Sequence, residues 1–241
     1  MADYGKALKR PFSDIKNLII GIALSILPVV RWFSLGYILK NSGVTKEKID
    51  TSKLQDWDNW GDIFIKGLLA TAIKFLYILP ALIILLIGAG TAIFSIMSDL
   101  MAKNIITKST LESLSSGGDA AMNAFMQKLQ ANLPMMMPGL IKASPVIIFA
   151  ILLSIFLAYL IPIAVLNYVK TSNFADAFNF GEVTDKAFTF DYFAVWVITL
   201  IISVFIALIF SLIPYVGGAI AFFCSGVFSY TAIGEVYKGL K

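Results

Sequence analysis

The sequence predicts an all-α integral membrane protein. The expected architecture is a helical bundle of four full transmembrane helices plus an N-terminal Pro-broken helical hairpin, with interfacial amphipathic elbow helices. Three observations predict it. Of 241 residues, 59% are hydrophobic and 14% charged, whereas a soluble domain carries about 45–50% apolar and about 25% charged residues. Four apolar runs reach the roughly 20 residues that a helix needs to cross a hydrocarbon core of about 30 Å. None of the runs alternates apolar with polar residues, as strands of a membrane barrel would.

The first run, Leu18–Leu39, is interrupted by Pro28 and Arg31. Its "SILPVVRWFSLGYI" resembles the later "SLIPYVGGAIAFFCSGVFSYTAI", where Pro214 to Gly218 separate two long runs in a sharp turn. The first region therefore reads as a shorter hairpin: Phe12–Leu27, a turn at Pro28–Arg31, and a return through Trp32–Lys40. The distribution of Lys and Arg favours this over a single span. A hairpin puts fourteen of the nineteen on one side and leaves Arg31, Lys103, Lys108, Lys128 and Lys142 on the other, whereas a single span divides them almost evenly. Cytoplasmic loops carry the excess of positive charge, so both termini are expected in the cytoplasm, with the chain integral to the cell membrane. Met1–Lys16 is polar and no small-residue cleavage site follows the first run, so that run is expected to insert uncleaved.

The remaining segments follow as one membrane domain. After the hairpin (1–40) come an elbow (41–66), a span (67–98), an extracytoplasmic amphipathic loop (99–143), a span (144–170), a second elbow (171–191) and a helical hairpin (192–237). "YILKNSG" and "YVKTSN" end their apolar runs alike, with Tyr at headgroup level, Lys reaching for phosphates and small polar residues stopping the helix. Each precedes an acidic-aromatic segment, "LQDWDNWGDIF" and "FADAFNFGEVTDKAF". Trp57, Trp60 and Phe64 lie at i, i+3 and i+7, and Phe174 and Phe178 can share a face, as on an amphipathic helix lying in the interface. The pattern makes the chain a weak internal repeat. In the 99–143 loop, Met122, Phe125, Met126 and Leu129 fall on one helical stripe, which reads as an interfacial helix on the outer leaflet. Met135, Met136 and Met137 between Pro134 and Pro138 lack the regular ligand spacing of a copper site.

Composition narrows the chemistry. The chain has no His, which removes histidine acid–base catalysis, Ser-His or Cys-His nucleophile pairs and nearly all zinc and haem sites. Its one cysteine, Cys224, lies in an apolar run and reads as a small buried hydrophobe. Arg31 is the one Arg inside an apolar region, and a charge at membrane depth is a functional candidate by default; at a hairpin tip it need not be deep. Asp56, Asp58, Asp62, Asp176, Glu182 and Asp185 are the acids of the elbows. Paired carboxylates can bind a cation or act as acid and base, but alternating with aromatics they also suit a solvated helix face. The binding candidates are Arg31, Trp57, Asp58, Trp60, Asp62 and Glu182. No catalytic residue, metal site, cofactor motif or nucleic-acid patch is read from the sequence. Gly88, Gly90, Gly217, Gly218, Gly226 and Gly234 are expected to let helices approach closely.

"DWDNWGDIFIKGL", "YILPAL", "FNFGEV" and the terminal "IPYVGG" helix pair resemble the archaeal and bacterial multi-pass membrane family catalogued as domain of unknown function 4013. A Pro-Gly-Tyr first hydrophobic segment, here Pro28, Gly36 and Tyr37, belongs to the same likeness. The resemblance covers nearly the whole chain and implies a prokaryotic, archaeal cytoplasmic membrane. It also implies that Trp57, Asp58, Trp60 and Gly61 form a shared structural elbow, and it carries over no catalytic assignment.

Three functions are left open. The first is an accessory or assembly module that binds membrane lipids, a membrane protein partner or a second copy of itself. The second is a small transporter or channel subunit, which needs polar residues converging at mid-bilayer, where the spans offer Ser, Thr, Asn167 and Tyr. The third is a lipid-acting membrane enzyme using interfacial acids, which needs Asp58, Asp62 and Glu182 within a few ångströms of one another.

Overall fold

Pro28 and Arg31 interrupt an otherwise continuous apolar run, and the chain turns back there. In the computed structural model, which describes residues 2–45, 51–116 and 118–240, helix α2 (Ile15–Ile26) stops before the turn and α3 (Arg31–Lys40) returns against it. A short α1 (Tyr4–Lys9) and a 3₁₀ turn at Arg10–Phe12 precede them. Asp3 and Asp14 cap α1 and α2, their side chains accepting from the amides of Lys6 and Asn17, which satisfies N–H groups that a helix start leaves without partners.

The other helices are α4 (Trp60–Ala102), α5 (Lys108–Ser116), α6 (Gly118–Ala131), α7 (Leu133–Thr171), α8 (Phe180–Ala187), α9 (Phe190–Ser211) and α10 (Gly217–Tyr237). No strand occurs among the described residues. Four of these helices, α4, α7, α9 and α10, are long and apolar enough to cross a membrane. Helices α4 and α7 outrun the 67–98 and 144–170 segments. At 1.5 Å per residue, the 43 residues of α4 extend about 65 Å, roughly twice a hydrocarbon core. The extension of α7 takes in the Met-Pro stretch, which is helical; Pro134 stands in the first turn, where a missing N–H costs nothing.

The chain forms two compact units, 1–77 with 157–241 and 78–156, with α4 and α7 contributing to both. In the larger unit α10 is central, packing on α9, α2, α3 and α1. Phe223, Phe228, Ala232 and Ile233 of α10 are buried, while Phe193, Leu200, Phe205 and Leu208 of α9 are exposed. Such a surface suits lipid rather than water. Helices α3 and α4 cross with backbone in contact. A Cβ on Gly36 would lie 1.8 Å from the Ile63 carbonyl oxygen, and one on Gly67 1.8 Å from that of Trp32. Gly234 of α10 meets the Ser42 carbonyl in the same way, whereas Gly218 and Gly90 have nothing within 4 Å and serve no such approach.

In the smaller unit Gly88 faces Val146 and Ile147, and Gly139 faces Ile96, so α4 and α7 run antiparallel there. Helix α6 buries no residue. Its half-buried row is Ala121, Phe125 and Leu129, while Met122 and Met126 are exposed.

The two elbows differ. Within the first (41–66), residues 51–59 form a turn and an extended stretch, and 60–66 open helix α4. The second is a 3₁₀ turn, Phe174–Phe178, followed by α8, with Asn173 and Asn179 as caps. "YILKNSG" and "YVKTSN" both end helices: α3 stops at Lys40 and α7 at Thr171. Ser172 then adopts a left-handed backbone (φ 60°) and its amide donates to the Tyr168 carbonyl at 2.7 Å, closing the C-terminus of α7.

Candidate functional site

The extended elbow exists because its aromatics find better partners than their own neighbours on a helix. The Trp57 ring stacks on Tyr37 of α3 with centroids 3.8 Å apart and planes 7° apart, and on Trp60 at 5.3 Å. Trp57 Nε1 donates to the Asn17 carbonyl at 3.3 Å and the Tyr37 hydroxyl donates to the Gln55 carbonyl. Phe33 packs on Trp60 and Phe64. These contacts pin residues 54–60 across α2 and α3, and they place Asp58 and Asn59 at the mouth of α4.

A charged cavity of about 230 Å³ lies there. Lys40 from the end of α3, and Asp58, Asn59, Asp62 and Lys66 around the start of α4, form its polar wall. Val169 and Ser172 from the end of α7, with Thr45, complete it. Lys40 is ion-paired with Asp58, and Lys66 with Asp62 at 2.6 Å, four residues apart on one helix face. The lysine side chains are only 15% and 18% exposed, the carboxylates 70% and 41%. The Lys40 hydrogen bond holds the Asp58 carboxyl below the usual carboxylate range.

Of the sequence candidates, the structure brings Trp57, Asp58, Trp60 and Asp62 to this one region. Arg31 and Glu182 are not among the residues lining the cavity. Arg31 closes the hairpin tip: its Nε donates to the Ser25 carbonyl at 3.1 Å and its guanidinium lies 4.8 Å from the Phe222 ring centre. Glu182 pairs with the buried Lys186. Lys186 Nζ also donates to Asn167 Oδ1 at 3.3 Å and to the Tyr237 hydroxyl at 3.1 Å, and that hydroxyl donates to Asn167 Oδ1 at 2.6 Å. The network joins α7, α8 and α10, and it leaves Asn167 Nδ2 without a partner among the described residues. No three acids or cysteines among the described residues are grouped to hold a metal ion.

Sequence reasoning missed Lys40, Lys66, Asn59 and Ser172 as cavity residues. Lys40 and Ser172 stand in the two helix-exit motifs, which was the available signal. It also missed Arg10. Arg10 is fully buried, donating to the Asn41 carbonyl and Oδ1 and to Thr231 Oγ1, and so ties the N-terminus to α10. Nothing in the polar run around Arg10 marks it.

Among known proteins, a family model described as "Protein of unknown function (DUF4013)" matches residues 19–215. Every residue lining the cavity lies inside that match. No curated protein and no solved structure matches the chain.

Proposed function

The chain belongs to the DUF4013 family, and from that premise we propose that it is a non-catalytic accessory or assembly module of an archaeal cytoplasmic membrane which binds membrane lipid at the α3–α4–α7 cavity. The observation that carries this reading is the company the cavity keeps. Two Lys–Asp pairs line it where apolar helices α3 and α7 end, and the stacked Trp57 and Trp60 stand beside it. Trp and Lys are the side chains that settle at headgroup level. The acid–base geometry that a lipid-acting enzyme would need is not favoured, since Asp58 and Asp62 each face a lysine and Glu182 is engaged with Lys186. In this reading both termini and the two elbows face the cytoplasm, and the elbows lie at the membrane surface.

Native mass spectrometry of the protein extracted gently from its own membrane tests the proposal. Lipid-sized adducts at fixed stoichiometry are expected. A protein-sized companion without bound lipid, or a metabolite-sized adduct, would overturn lipid binding in favour of a subunit role or transport.

A further inference from the structure

We propose that the cavity at the start of α4 is a binding site for a phosphate-class oxyanion; this rests on the lipid-binding reading and names the part of the lipid that is held. Each lysine ammonium carries three N–H donors. Lys40 and Lys66 each use one on a carboxylate and have no other hydrogen bond among the described residues. Both side chains are more than four-fifths removed from solvent, so bulk water meets little of what remains. The Asn59 amide and Ser172 hydroxyl line the same space and likewise make no side-chain hydrogen bond among the described residues. The first bond of α4 runs from the Ile63 amide to the Asn59 carbonyl at 3.1 Å. The amides of residues 60–62 therefore have no intrahelical acceptor, and the positive end of the helix dipole lies at the cavity.

Of the donors that remain, the two lysine ammoniums lie on the deeper side, while Asn59 and Ser172 stand with the carboxylates nearer solvent. A group with several acceptor oxygens and negative charge meets that pattern. A metal cation does not, because both carboxylates already face an ammonium. The space is ample: about 230 Å³, against the roughly 10–15 Å³ that one water requires. The exposed Asp58 and Asp62 suit a hydroxyl or amine attached to the phosphate. A lipid headgroup and free phosphate share this chemistry.

The test uses the full-length protein in a maltoside detergent, which carries no phosphate. Binding is measured for three probes: inorganic phosphate, short-chain phosphatidic acid and the matching diacylglycerol. Phosphatidic acid is expected to bind, with affinity falling about tenfold or more in the Lys40→Gln/Lys66→Gln double variant and recovering in Lys40→Arg/Lys66→Arg. In the wild-type chain, phosphatidic acid should also shield Lys40 and Lys66, relative to Lys9, from acetic anhydride. That readout stands even if the double variant fails to fold. Equal binding of inorganic phosphate would support the oxyanion site and overturn the lipid as its source. Equal binding of the diacylglycerol, or no loss in a folded double variant, or no shielding, would overturn the oxyanion site. Lipid adducts that persist in the double variant would leave lipid binding standing elsewhere on the chain.

Discussion

Asp58 reports on the cavity through its own titration. Its carboxyl is held low by the Lys40 hydrogen bond, so its contribution favours the folded form above the ordinary carboxylate value of about 4 and is lost as pH falls through the lower folded value. Exposure of the carboxylate keeps that contribution small. In Lys40→Ala the Asp58 midpoint should move up toward the ordinary value, as read by carboxyl carbon NMR; an unchanged midpoint would show that the pair does not persist in solution. Lys186 is the contrasting case, an ammonium taken out of water. Glu182→Gln removes its charged acceptor and should cost about 1–3 kcal/mol of stability in a detergent melt. Asp58, Asp62 and Glu182 were legible as charged residues in aromatic surroundings. Lys66 and Lys186 each stand four positions after their carboxylates, a local spacing that was available in the sequence; Lys40 was not legible, because a lysine 18 positions from its carboxylate shares no local spacing with it.

At the scale of elements, sequence pattern was reliable where a local rule operates. Pro28 and Pro214 marked the two turns, where α2 gives way to α3 and α9 to α10. It failed where a helical spacing competed with cross-element stacking. Trp57, Trp60 and Phe64 sit at helical intervals, yet Trp57 leaves the helix to stack on Tyr37, a pairing worth about 0.5–1.5 kcal/mol beyond the area it buries. The α3–α4 crossing depends on Gly36, which the family likeness singled out, and on Gly67, which carried no distinguishing mark in sequence. Gly36→Ala should destabilise the protein by about 1–3 kcal/mol, because its Cβ would strike the Ile63 carbonyl. Gly61→Ala, with nothing within 4 Å, should change the melting free energy by less than about 0.5 kcal/mol. Equal effects of the two substitutions would contradict the crossing.

For the whole molecule, the hairpin at the N-terminus decides how many times the chain crosses and therefore where its ends lie. Single cysteines placed at positions 5 and 45 should react with an impermeant maleimide from the same membrane face, with Cys224 buried and silent; reaction from opposite faces would rule out the proposed topology. The sequence by itself determined that the chain is helical and belongs in a membrane, how many long apolar helices it has and where they turn. Those properties follow from composition and from residues a few positions apart, through burial of apolar side chains and local backbone sterics. Tertiary structure alone decided that Lys40, Asp58, Lys66 and Ser172 surround one cavity, that Arg10 is interior, and that Lys186 meets Asn167 and Tyr237. These groupings join residues up to 221 positions apart. They are fixed by how close the glycine crossings let the helices come and by where the stacked aromatics pin the elbow, neither of which leaves a local signature in the chain.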